Sequence, residues 1–118
     1  MPVKHADQIP ANPVSAGKDT FIQILISPEE GPHFAMRRFT MKPGGSMPRH
    51  TNEVEHEQYV LQGRARIGIG DEVYEVGPGH VVFIPAGVPH WYENIGNEDF
   101  VFLCLVPNKE DTLRICDE

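Results

Sequence analysis

GGSMPRHTNEVEHEQYVLQG, residues 44–63, and GHVVFIPAGVPHWYEN, residues 79–94, decide how this chain folds. The first holds His50 and His56 between Gly44 and Gly63, with Asn52 lying between the two histidines. The second runs from Gly79 through Pro85 and Gly87 to His90 and Asn94. In both, glycine and proline punctuate short apolar runs, the pattern of strands joined by tight turns.

Outward from these stretches the same pattern repeats. Thr20–Ser27 (TFIQILIS) spaces Ile22, Ile24 and Ile26 at period two, which predicts a half-buried strand. His33–Met41 is a second run, expected to end at Lys42-Pro43-Gly44-Gly45. Gly63 separates Glu57–Gln62 from Arg64–Gly70 and marks a bend or bulge. Glu72–Val76 pairs with the preceding run across a Gly70-Asp71 turn. His80–Ile84 and Val88–Glu93 follow, and Asp99–Val106 (DFVFLCLV) reads as a strand buried on both faces. No stretch keeps a helical period for ten residues. The expectation is an all-β sandwich or barrel over residues 20–107, with an extended arm at 1–19 and a polar tail at 108–118.

Composition narrows the partners. The 118 residues carry a net charge of −7, which disfavours nucleic acid, because a basic surface is needed to displace its counterions. Met1–Pro10 lacks the apolar core of a secretory signal. No apolar run nears the roughly 20 residues that span a bilayer. With two cysteines, Cys104 and Cys116, and no dense disulfide framework, the expected setting is cytoplasmic.

The histidines point to metal chemistry. Neutral imidazole suits Mn, Fe, Cu, Ni and Zn, and strands supply a rigid mount. Alternate residues share a face, so His50 and position 52 both point inward, while His56 and His90 arrive from other strands. Three imidazoles leave coordination positions open, the mark of a catalytic site and not a closed structural one. One divalent transition ion per chain is expected, held by His50, His56 and His90. Asn52 is either a weak fourth ligand or a hydrogen bonder to metal-bound water. His5, His33 and His80 read as ordinary surface or turn residues. By the same alternation Gln58, Val60 and Tyr92 face the ion, and Trp91 and Glu93 face away.

The two stretches resemble the paired signature motifs of the cupin superfamily, G-x5-H-x-H-x3,4-E-x6-G and G-x5-P-x-G-x2-H-x3-N. The second agrees at Gly79, Pro85, Gly87, His90 and Asn94. The first agrees at Gly44, His50 and Gly63, but Asn52 stands at the second histidine and His56 at the glutamate. Glu57 is the rival for that last position, since the family allows three or four intervening residues. Adjacent residues face opposite sides, so only one of His56 and Glu57 can point inward.

Phe34–Gly45 and Phe102–Pro107 are similar to a subgroup of small single-domain cupins with histidine-rich sites. The resemblance implies a double-stranded β-helix, or jelly-roll barrel, and a homodimer, with Phe21–Ile26 as the edge lent to a partner. It also implies that Arg37 and Cys104 face the metal, with Phe102 beside Cys104 in the substrate pocket. A buried Arg37 needs a carboxylate or an anionic substrate. Arg38, its neighbour, is expected in solvent. Cys104 reads first as a small buried hydrophobe.

The function expected is a metal-dependent enzyme acting on a small molecule, foremost an oxygenase or dioxygenase-type oxidoreductase. The metal would bring two reactants together while Arg37, Gln58 and Tyr92 orient substrate. The alternatives are a cupin isomerase or decarboxylase, and a non-catalytic metal or small-ligand binding module.

Overall fold

A computed structural model describes residues 2–116. After a 3-10 turn at Ala6–Gln8 come β1 (Asn12–Pro13), β2 (Lys18–Ile26), β3 (Phe34–Thr51), β4 (His56–Gln62) and β5 (Ala65–Ile69). Then follow β6 (Glu72–Val76), β7 (Val81–Ile84), β8 (His90–Asn94), β9 (Phe100–Pro107) and β10 (Arg114–Ile115). They form one sheet in the order β6-β5-β8-β3-β9-β4-β7, with β2 and β10 also on β3 and β1 on β2. The sheet curls into a barrel, and the all-β expectation holds. Among the described residues no helix is long and apolar enough to cross a membrane.

The Lys42–Gly45 break turns out to be a corner inside a single strand. β3 continues through it for 18 residues, and Gly44 absorbs the change of direction at a left-handed φ of 82°. Before the corner, Phe34–Met41 pairs with β9 and β2. After it, Ser46–His50 pairs with β8. One strand therefore serves both walls of the barrel.

A second irregularity aims the site. Met47 pairs with Tyr92 and His50 with His90, so two residues of β3 oppose one of β8 in between. That bulge falls at Pro48, which has no N–H to give the ladder. It lets Met47 and His50, three positions apart, both face inward.

Other features follow the expected chemistry with local differences. Ile69 pairs with Glu72 across the β5–β6 turn, and only Gly70 there takes a left-handed φ, 59°. This is the pattern of a type II′ turn. β9 is buried on one face only: Phe100, Phe102 and Cys104 face in, while Val101, Leu103 and Leu105 are half-buried. In β2 the isoleucines are not the buried set. Thr20 and Gln23 are buried, whereas Ile24 and Ile26 are 39% and 40% exposed, since the arm covers the Gln23 side of the strand.

The arm and tail are drawn into the sheet. β1 pairs with Phe21 and Ile22 of β2. Gln23 donates to the carbonyls of Ala6 and Ile9, and Lys4 donates to that of Leu25. The chain's own arm thus occupies part of the β2 edge, at Phe21 and Ile22. Arg38 is not free in solvent either. It is half-buried and donates to Gln23 and Asp7. At the other end β10 pairs with Thr51 and His50.

Candidate metal centre

Sheet register lays the site out in rows. On one wall Arg37, Cys104 and Gln58 stand side by side across β3, β9 and β4, and Phe39, Phe102 and Val60 form the next row. His56, two residues before Gln58, continues the same face of β4. On the other wall His50 and His90 are partners, with Met47 and Tyr92 in the row beside them. The two walls enclose a cavity of about 190 Å³ lined by all three histidines, Asn52, Arg37 and the aromatic rings.

The imidazoles are buried and close together. The rings of His50 and His90 lie 4.2 Å apart, and those of His56 and His90 lie 5.6 Å apart. His50 Nδ1 donates to the Pro48 carbonyl at 2.7 Å, and His90 Nδ1 to that of Val88 at 3.0 Å. Each ring is thereby fixed in the tautomer that leaves Nε2 with a free lone pair. His56 is 6% exposed and turned in, whereas Glu57 is exposed on the outer face.

Burial sets the charge state. It pushes the His56 imidazole down to about 3, reinforced by the nearby Arg37 cation. It pushes His90 down to about 4, and His50 is lowered for the same reason. All three rings are neutral at neutral pH, the form that ligates.

Among the described residues Arg37 has no carboxylate partner. Its Nη2 donates to Cys104 Sγ at 3.1 Å and lies 3.3 Å from His56 Nδ1. Its guanidinium carbon sits 5.1 Å from the Phe39 ring centroid. Cys104 is accordingly more than a filler. It is fully buried, and its sulfur lies 3.1 Å from His56 Nδ1 and accepts from Gln58 at 3.5 Å. Gln58 also donates to the Tyr92 hydroxyl at 2.7 Å, and burial raises the Tyr92 phenol above its usual range.

Phe39, Phe102 and Tyr92 form a continuous aromatic wall. Phe39 stacks on Phe102 at 5.2 Å and Phe102 on Tyr92 at 5.4 Å, both nearly parallel. Phe39 shares the inward face with Arg37, two residues on, so strand alternation alone could have placed it in the pocket. Asp111 and Leu113 had no such signal, because the tail has no periodicity. Yet Leu113 lines the cavity, and Asp111 accepts from Asn52 Nδ2 at 2.9 Å and from the Glu53 N–H at 2.6 Å. His5 caps the 3-10 turn, His33 is exposed, and His80 accepts from the Gly77 N–H, all away from the cavity.

The family described as the cupin domain matches residues 37–106. The chain belongs to the cupin family. Along its whole length it is 32% identical to the polyketide cyclase RemF of Streptomyces resistomycificus, spanning 87% of that chain at a TM-score of 0.91. It is 27% identical to a predicted oxalate decarboxylase of Thermotoga maritima, covering 89% of this chain and 97% of that one at a TM-score of 0.79. A 50-residue segment, 42% of the chain, is 40% identical to an uncharacterised protein of Methanocaldococcus jannaschii. The chain spans 40% of that curated relative's length and 14% of several longer ones.

The donor set of this cupin fits a divalent transition ion. His56 Nε2 is buried with no hydrogen-bond partner, a costly state that an ion at the cavity would relieve in the tautomer whose Nδ1–H donates to Cys104 Sγ. Among the described residues no three His, Cys, Asp and Glu side chains are drawn tightly enough round one point to grip an ion. His56 is the outlying ring, engaged through Nδ1 by Cys104 and Arg37.

Proposed function

We propose that this cupin is a metal-dependent enzyme acting on a small planar molecule that carries an enolisable carbonyl or a phenolate. The observation that carries the reading is the burial of three neutral imidazoles beside one aromatic-walled cavity, with His50 and His90 locked through Nδ1 and His56 Nε2 unpartnered. His50, His56 and His90, with Asn52 beside them, would hold Mn, Fe, Cu, Ni or Zn. A divalent ion there supplies Lewis acidity toward a carbonyl or enolate oxygen.

The surrounding residues favour an anionic ring compound. A dication and the Arg37 guanidinium would put excess positive charge in a mainly apolar cavity that Asp111 only partly offsets, and an enolate or carboxylate balances it. Size argues for about one ring, since a cavity of about 150 Å³ accepts benzene. The Phe39–Phe102–Tyr92 wall orients such a ring by stacking. Arg37 donates to the developing oxyanion. The Tyr92 oxygen accepts from Gln58, which leaves its own proton to donate elsewhere.

Ring closure of a polyketone with loss of water is the reaction class favoured, supported by the full-length likeness to a polyketide cyclase. Oxygenase-type oxidation is the second reading, favoured by the coordination positions that three imidazoles leave open. Protein loaded with each metal in turn would be incubated with short poly-β-ketone thioesters and with catechols. Product mass and oxygen uptake are then followed together. A dehydrated product without oxygen uptake supports ring closure, and metal-dependent oxygen uptake supports oxidation. Metal-loaded protein that does neither contradicts both.

A further inference from the structure

The tail residue Asp111 has a consequence for the site. Asn52 is 8% exposed, lines the cavity, and has its backbone pinned by the Gly87 N–H on its carbonyl oxygen at 2.8 Å. Its side-chain amide can present either oxygen or NH2 to the histidines. Asp111 decides between them. A carboxylate only accepts, so it draws the Nδ2 end of Asn52 toward itself at 2.9 Å. Its other oxygen is already committed to the Glu53 N–H at 2.6 Å, which fixes the carboxylate in place. Among the described residues nothing donates to Asn52 Oδ1, and it is not sealed off.

We propose that Asp111 is a positioning residue that holds the Asn52 amide with its oxygen toward the imidazole cluster, making Asn52 an oxygen donor for a cation held there. The metal part of this inference rests on the reading above. The orientation part does not. Asparagine at this position departs from imidazole, and Asp111 explains how an amide can stand in: the tail supplies the acceptor that selects which end of the amide is turned to the cluster.

Asp111→Asn is the discriminating variant, because shape is kept and acceptor chemistry is not. The Glu53 N–H claims the one amide oxygen of the new side chain, so its NH2 faces Asn52. Asn52 then flips, giving its oxygen to residue 111 and its NH2 to the histidines. Cobalt(II) is the probe, titrated into metal-stripped protein while its visible absorption is read. The expected result is about 10- to 100-fold weaker cobalt binding in Asp111→Asn, with an altered absorption envelope. Asn52→Ala loses as much, the double variant loses no more, and Asp111→Glu recovers most of the affinity.

The metal-free arm reads the amide directly by NMR. Asn52 Nδ2 protons contact Asp111 in the wild type and the ring protons of the histidines in Asp111→Asn. Wild-type protein that takes up no cobalt overturns the metal reading, while the amide contacts still decide orientation. Unchanged amide contacts, or wild-type cobalt affinity and spectrum in Asp111→Asn, overturn the role of Asp111.

Discussion

His50 and His90 are register partners on β3 and β8, and their rings stand 4.2 Å apart across that ladder. Their Nδ1 atoms both bond a carbonyl two residues earlier in the chain. Such twin anchoring fixes two nitrogens toward one cavity without help from any third strand. If the two rings ligate an ion as proposed, replacing either with alanine removes a ligand. Equilibrium dialysis against zinc or manganese should show affinity falling by at least about 10- to 100-fold in His50→Ala and His90→Ala. His33→Ala and His80→Ala, outside the cavity, should bind as wild type.

The same burial makes the metal-free barrel acid-sensitive. His56 and His90 are pushed down to about 3 and about 4, against 6.5 for a free side chain. Above pH 6.5 both folded and unfolded chains hold these rings neutral, and they do not alter stability. Below it the unfolded chain takes up protons that the folded barrel refuses, so stability falls by about 1.4 kcal/mol per proton for each pH unit. The loss continues until the folded values are reached. Urea midpoints of metal-stripped protein should therefore drop steeply from pH 6.5 to 4.5. A His56→Gln, His90→Gln double variant should show a much shallower drop.

The inward histidines were legible because strand alternation and glycine punctuation are local signals, and His50, His56 and His90 each sit inside one. The corner at Gly44 was not, since Pro-Gly-Gly ends a strand or bends it depending on what pairs with it afterwards, here β8. Arg37 was placed on the inner face by resemblance, but its neutral partners, Cys104 and His56, come from other strands. Asp111 was invisible for a similar reason. An aspartate in a polar tail gains meaning only when the tail folds back onto Asn52, a contact across 59 positions of chain.

Gly68 and Trp91 are partners on β5 and β8, and a Cβ at position 68 would overlap the indole of Trp91. The tryptophan lies flat over the glycine, on the side of β8 away from the histidines. Gly68→Ala should cost about 1–3 kcal/mol in urea unfolding through overpacking. It should also shift the emission of Trp91, the chain's single tryptophan, while leaving metal binding intact.

Tyr92 and Gln58 form a buried pair at 2.7 Å. Tyr92→Phe keeps the ring in the stack but strips Gln58 of its oxygen acceptor, a loss of about 1–3 kcal/mol by thermal or urea unfolding. Adding Gln58→Leu should return most of that stability, because no donor is then left unpaired. If the double variant is instead as unstable as the sum of the two single changes, the pair does not act as a unit.

Whether the imidazole cluster holds an ion is read out by elemental analysis of the protein purified without chelator. About one transition ion per chain is expected in the wild type, and almost none in the His50→Ala, His90→Ala double variant. Wild-type protein that is isolated empty and stays empty when incubated with Mn, Fe, Cu, Ni or Zn would contradict the metal reading.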